Sequence, residues 1–372
     1  MKRFFLTLTL LSLLSFACAG ATPQTPPIID TVPEASPTFN IQPATESSAY
    51  ISFIINVHDW THPDESADIL LKLVDLFQRY NVHGDFYFTA EITRKLAETR
   101  PDVIERLKNS NMTISYHVRP PHPLYTGFDS SRLEGLSDDE LYQTLLDYET
   151  YALDLETGEL DKSQPGGYTY VAQVFGRNPV VVPAPNSGRI KDAAQKVYAS
   201  LGAQMTLLYH ESGTKLEQPF EHVNGMLVRP SDFSVTRVTS VDGSDSFWWN
   251  FMSSSEAEIY NPTKMLQDQL EEWAGHASSV TYNRPPFITS LIHENNYYRN
   301  GAEGWTSIYF DMNGAKKGDP LPAPWDLSAQ DPSRLRTEED QAAIFAAYEE
   351  LVAYAAAHLT VVTSEDIVAM AK

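Results

Sequence analysis

Ser52–Trp60 reads SFIINVHDW, an apolar, β-branched run that ends abruptly in His58 and Asp59. Such a run predicts a buried strand, and two polar side chains at its carboxyl edge are how α/β barrels and sheets present chemistry. The surrounding sequence repeats the theme. Ala67–Tyr80 carries apolar residues at helical spacing, Asn81–Gly84 makes a turn, and GDFYFTA follows as a second strand. Ile92–Asn109 predicts a helical pair split by Pro101, and Met112–Val118 (MTISYHV) a third strand that again ends on a histidine. Strands alternating with helices predict parallel pairing, with ligands gathered at the strands' carboxyl ends.

Further on, Leu141–Leu155 predicts a helix, Pro179–Pro185 (PVVVPAP) a strand, Ile190–Leu201 a helix and Ala203–His210 another strand. Glu211–Asn261 reads as a strand plus a loop insertion. Thr263–Trp273 returns to helix, and Pro286–Glu294 (PFITSLIHE) is an apolar strand ending on His293. Asn295–Asp331 predicts a long loop. Thr337 opens a helix running to His358, Leu359–Val362 is a last strand, and Thr363 caps a short final helix. No internal repeat and no break in composition divides residues 49–372, so one domain is expected there.

Before it, Lys2 and Arg3 precede an apolar run from Phe4 to Phe16, too short to span a bilayer and followed by small residues. Residues 1–19 therefore read as an export signal, and residues 20–48, rich in Pro, Thr, Ala and Ser, as a tether. Two forms of the signal stand: Ala17–Ala19 suits a small-x-small cleavage site, and Leu14–Cys18 resembles a lipoprotein box that would lipidate Cys18, the single cysteine. Either form puts the mature protein outside the cytoplasm, in the cell envelope or beyond. The net charge of −22 argues against nucleic acid as a partner, since no basic stripe is present to neutralise phosphates.

Strand ends thus hold His58 and Asp59, then His117 with His122 in YHVRPPHPLY, then His293 in SLIHENN. One carboxylate and two imidazoles leave open positions on a divalent ion, so that a bound water can be acidified and aimed at a carbonyl; zinc is the default ion for such a set. A further histidine opposite would act as general acid. His62 is a reserve ligand. His83, His210, His222, His276 and His358 read as structural.

The order of these motifs resembles the polysaccharide deacetylase family of carbohydrate esterases. NVHDW resembles its first motif, HVRPPH its histidine pair, VPAPNSG stands in place of the third, and SLIH resembles the Leu-x-His motif near the end. The resemblance implies a distorted (β/α) barrel with loop insertions. It also implies removal of N- or O-acetyl groups from a glycan, with Asp59, His117 and His122 on a divalent metal and His293 protonating the leaving group. His58 stands where the family has an aspartate base. It can take that role, donate to Asp59, bind the metal, or mark lost activity. Pro183, Asn186 and Arg189 occupy the third motif, and Trp249, Tyr297 and Trp305 sit in polar loops where aromatic rings stack on sugars. Two alternatives remain: a non-catalytic glycan-binding protein of the envelope, and a glycoside hydrolase using a carboxylate pair drawn from Glu294, Asp64, Asp311 and Glu303.

Overall fold

The computed structural model describes residues 49–125, 128, 130–183, 188–207, 220–235, 237–239, 245–247, 261–277, 285–300, 306–311, 319–325 and 334–372. Eight parallel strands form its centre. β1 (Tyr50–Val57) pairs along its whole length with β8 (Phe287–His293), from Tyr50↔Phe287 to Asn56↔His293. On its other side Ile54–Val57 pairs with β2 (Asp85–Phe88), which pairs in turn with β3 (Thr113–Tyr116). β7 (Phe233–Ser234) joins the far edge of β8. A second sheet holds β4 (Val181–Val182), β5 (Met205–Thr206) and β6 (Met226–Val228), all parallel.

Val180 donates its N–H to the Ile114 carbonyl at 2.9 Å, so the second sheet continues from the edge of the first. The strands then run in chain order, β1-β2-β3-β4-β5-β6, and from β7 through β8 back to β1. This is the order of a (β/α) barrel. It is a distorted one: among the described residues no ladder joins β6 to β7, which are linked by Arg229–Asp232.

Side chains alternate across the barrel wall as strand geometry requires. Ile51, Phe53, Ile55 and Val57 of β1 face outward into the main core, against Leu70, Leu73 and Phe77 of α1 (Pro63–Arg79) and Tyr348, Leu351 and Val352 of α8 (Glu338–His358). Ile54 faces inward instead, into a second cluster with Tyr87, Val181, Met205, Leu227 and Phe287. α9 (Ser364–Met370), begun by a Thr363–Asp366 capping box, adds Ile367 and Val368 to that inner cluster. Its first residue, Ser364, donates to the buried Asp85 carboxylate, which Arg229 also reaches at 3.1 Å. A short strand before it, β9 (Thr360–Val361), pairs with Tyr50 and Ile51.

The remaining wall helices are α2 (Ala90–Thr99), α3 (Pro101–Lys108), α4 (Asp138–Tyr148), α5 (Gly167–Phe175), α6 (Gly188–Leu201) and α7 (Pro262–Ala277). Three expectations change in detail. The helix expected over Leu141–Leu155 stops at Tyr148, and Tyr151–Leu153 turns back on Leu160–Pro165 as an antiparallel hairpin. Asp154 makes that turn by accepting from the Glu156 and Thr157 amides, and Gly158 completes it at φ +75°. The strand expected over Pro179–Pro185 pairs only through Val181–Val182, because prolines at 179 and 183 cannot donate to a ladder. Asn295–Asp331 is less irregular than expected, since Arg299–Asn300 pairs with Arg334–Leu335 and Thr306–Tyr309 is helical.

Candidate functional site

The inward parity of three strands sets the site. In β1 the inward series Ile54, Asn56 ends on His58; in β8 Phe287, Thr289, Leu291 ends on His293; in β3 Thr113, Ser115 leads to His117. All three imidazoles arrive at the same carboxyl end and are buried. His58 Nε2 lies 2.5 Å from His293 Nδ1, with the rings edge-on at 4.8 Å between centroids, and the His58 and His117 centroids are 5.9 Å apart. Among the described residues no group hydrogen-bonds either ring nitrogen of His117. A buried polar side chain left in that state is the mark of a site that expects another molecule.

Arg119 settles which way the protons point. A guanidinium only donates, and Arg119 Nη2 lies 3.5 Å from His293 Nδ1, so that nitrogen is an acceptor and His58 Nε2 donates to it. The proton of His293 then sits on Nε2, 3.5 Å from the side-chain amide of Asn56. With that amide turned, its oxygen accepts the proton, which gives Asn56 Oδ1 the partner it otherwise lacks among the described residues. The lone pair of His58 is left on Nδ1. Burial holds His58, His117 and His293 well below the usual imidazole range, and the Arg119 guanidinium adds to the effect in each, so all three are neutral at pH 7.

Asp59 faces the other way along the same backbone. Its Oδ1 accepts from the Thr61 hydroxyl and, at 3.2 Å, from the Thr61 amide; its Oδ2 takes Tyr298 Oη at 3.0 Å, His62 Nδ1 at 3.3 Å and Arg299 Nη1 at 3.5 Å. Burial opposes the charge, but His62, Arg299 and Thr61 outweigh it and keep Asp59 below the usual carboxylate range. Beneath both residues lies Glu294, fully buried, whose Oε1 accepts the backbone N–H of His58 and of Asp59 at 2.6 Å each. Burial, with the Asp59 charge beside it, pushes Glu294 up to about 8.

His122 lies in other company. Its Nδ1 accepts from the Leu124 amide at 3.2 Å and its Nε2 is 3.4 Å from Glu149 Oε1, while its ring packs edge-on to Tyr116 and Tyr148. Glu149 also accepts from Tyr198 Oη at 2.5 Å and the Tyr168 amide at 3.0 Å. Burial presses His122 down to about 3 and lifts Glu149 up to about 7. A neutral imidazole therefore faces a carboxyl held close to half protonated at pH 7. Tyr116, Tyr168 and Tyr198 belong to the outer core between strands and helices, so His122 lies behind the wall that His117 lines. It borders a cavity of about 260 Å³ with Trp60, Glu91, Arg94 and Tyr148.

The expected ligand set is thus not assembled. Asp59 is engaged by Thr61, His62, Tyr298 and Arg299, and His122 by Leu124 and Glu149, with no partner in common. Among the described residues no three His, Cys, Asp or Glu side chains are placed to hold one metal ion. The Asp59, His117 and His122 donors do not fit a zinc ion in this arrangement. His62, the reserve, does approach Asp59.

The other expected contacts divide similarly. Pro183 follows β4 and is buried; Asn186, Trp249 and Trp305 lie outside the described residues. Arg189 does not face the histidines: it binds Asp138 Oδ1 at 2.7 Å and the Leu136 carbonyl, tying α6 to the start of α4. Tyr297 is no exposed platform, being buried against Phe345 and Tyr348. Of the four carboxylates expected for a glycosidase pair, Glu294 is spent on two amides, the Asp64 side chain is 78% exposed, and Glu303 lies outside the described residues. Arg119, Asn56 and Glu294 as a backbone acceptor are not singled out by the sequence, although Arg119 lies within HVRPPH and Glu294 directly follows His293; Tyr298, which reads from the sequence as a loop aromatic for sugar stacking, is instead buried on Asp59.

Solved polysaccharide deacetylases resemble this chain. One described so from Mycobacterium smegmatis is 12% identical, with a TM-score of 0.47 over 89% of this chain and 92% of its own. Another so described, from Pseudomonas aeruginosa PAO1, is 14% identical, with a TM-score of 0.43 over 87% and 90%. The Puue allantoinase is 11% identical, with a TM-score of 0.45 over 87% and 90%. No family model and no curated protein matches. The resemblance is one of chain path.

Proposed function

We propose that this chain is a hydrolase that removes acetyl groups from the amide or ester positions of a glycan, with the His58–His293 pair as its acid–base machinery. The observation that carries the reading is the neutral imidazole pair at 2.5 Å, buried at the barrel mouth beside His117, whose ring nitrogens have no partner among the described residues. The choice of an acetylated glycan rests on the order of the NVHDW, HVRPPH and SLIH motifs.

In this reading His58 Nδ1 takes a proton from water as its oxygen attacks the acetyl carbonyl. His293, held by Asn56 and Arg119, fixes the His58 ring and its tautomer, as the orienting member of a catalytic triad does. Arg119 supplies positive charge for the carbonyl oxygen as it becomes an oxyanion. The imidazole pair returns the proton to the departing amine or alkoxide, so that water and the acetylated sugar become acetate and the free sugar. No step is assigned to a metal, because Asp59, His117 and His122 are not placed to share one.

The test is release of acetate from N-acetylated oligosaccharides and from O-acetylated polysaccharide, with and without chelator. Turnover that survives chelator and falls about 10²–10⁴-fold in His58→Ala supports the proposal. Absence of acetate from every such substrate, with or without added zinc, refutes it. Glycan binding without turnover would move the protein to the non-catalytic reading.

The reading includes export through residues 1–19, with Cys18 lipidated or removed; fractionation and palmitate labelling of wild type and Cys18→Ser distinguish these.

A further inference from the structure

The two halves of the imidazole pair come from strand ends 235 residues apart in sequence, so the line of their hydrogen bond depends on how the two backbones are held together. A second connection crosses beside it. Glu294, the residue after His293, sends its side chain back across the β1–β8 seam and accepts the N–H groups of His58 and Asp59 on one oxygen, both at 2.6 Å. β1 has ended at Val57, so these two amides have left its ladder. Glu294 Oε2 has no partner among the described residues, so the side chain is committed to this one task. His293 itself is pinned from behind, its N–H donating to Asn296 Oδ1 at 2.8 Å.

We infer that Glu294 is a positioning residue: it clamps the backbone of His58 to the end of β8 and thereby fixes the distance and line of the His58–His293 hydrogen bond. This rests on the function proposed above only for its catalytic consequence; the clamp itself is a statement about geometry. Two consecutive amides bound to one oxygen fix the peptide plane between them, and with it the direction in which the His58 side chain leaves the backbone. A glutamine preserves that clamp, since its carbonyl oxygen accepts both amides. Alanine removes it, and aspartate, one methylene shorter, falls short of it.

The experiment compares wild type with Glu294→Gln, Glu294→Asp and Glu294→Ala by nitrogen-15 NMR of the imidazoles and by acetate release. In wild type the His58 Nε2 proton, shared with His293, gives a strongly downfield, exchange-protected resonance; its assignment comes from its loss in His58→Ala. Glu294→Gln retains that resonance and stays within about threefold of wild-type kcat. Glu294→Ala and Glu294→Asp lose it, with kcat lower by about 100-fold at nearly unchanged KM, the size expected when a catalytic group is misplaced by about 1 Å. A resonance unaltered in Glu294→Ala, or in Glu294→Asp should the alanine variant not fold, overturns the inference. Loss of the resonance in Glu294→Gln overturns it too. If wild type releases no acetate, the function fails while the resonance still decides the clamp.

Discussion

Two buried histidines stand five positions apart in the segment HVRPPH, and their surroundings are opposite. His117 follows β3 on the inward parity and faces the barrel mouth, where no described group binds either of its nitrogens. His122, past the two prolines, lies on the outer side, its nitrogens directed at the Leu124 amide and Glu149. The first is arranged to meet something that is not part of the chain, and the second to hold the chain together. Burial alone does not separate a functional from a structural histidine, since both are at least nine-tenths buried. The setting of the ring nitrogens does: neither nitrogen of His117 has a partner among the described residues, whereas His122 Nδ1 holds the Leu124 amide and its Nε2 lies 3.4 Å from Glu149.

The sharpest way to break this comparison is to truncate both residues. His117→Ala is expected to lower acetate release by at least 10²-fold while leaving the melting temperature close to wild type, because the side chain removed makes no hydrogen bond to any described residue. His122→Ala is expected to do the reverse. It leaves a cavity between Tyr116 and Tyr148 and takes the acceptor from the Leu124 amide, so stability falls by about 2–4 kcal/mol, with kcat within a few-fold of wild type in the folded fraction. Equal effects of the two variants on both readouts would end the distinction.

A smaller effect separates the two regions by pH. Burial holds His58, His117 and His293 below, and His122 down at about 3, from an unfolded value near 6.5. The unfolded chain therefore binds protons first as pH drops, and the stability these groups contribute is lost progressively below pH 6.5. Glu149 works in the opposite sense. Raised to about 7 from an unfolded value near 4.5, it lets the unfolded chain release a proton first, so its contribution is lost as pH rises from about 4.5 to 7. In Glu149→Gln that second loss disappears. The melting temperature of this variant relative to wild type should climb between pH 4.5 and 7 and then level off; a flat difference would show that Glu149 is not held protonated.

The smallest expected effect is that of zinc. Added zinc should shift the melting temperature of wild type and of Asp59→Asn by the same small amount, since Asp59 is engaged within the protein. A large shift in wild type that Asp59→Asn abolishes would instead show that Asp59 can turn from Thr61 and Tyr298 to hold an ion.

Much of the frame was legible in the residues. SFIINV and FITSLIH announced themselves by unbroken apolar runs, and they prove to be neighbours along their full length. Thr337 and Thr363 marked two helix starts through local hydrogen bonds that need only a few residues of context. The Tyr151–Pro165 hairpin was missed because its short strands are half polar, and only Asp154 and Gly158 betray the turn. At the site, His58, His117 and His293 were legible as strand-end histidines, but the partition of HVRPPH was not. Residue type states that a side chain can bind a metal; it does not state on which side of a wall a loop will set it down.

By itself, then, the sequence determined a strand from Tyr50 with His58 and Asp59 at its end, the alternation of strands and helices after it, and a histidine closing β8. These follow from side-chain periodicity, which acts over a few residues. Tertiary structure decided that His58 meets His293, and that Asp59 and His122 take their contacts from different neighbours. It also decided that Asp59 turns to Tyr298 and Arg299, and that Glu294 reaches across to hold both residues from below. Hydrogen bonds of 2.5–3.5 Å between residues more than 230 positions apart depend on how strands register and loops pack, and no local pattern encodes that.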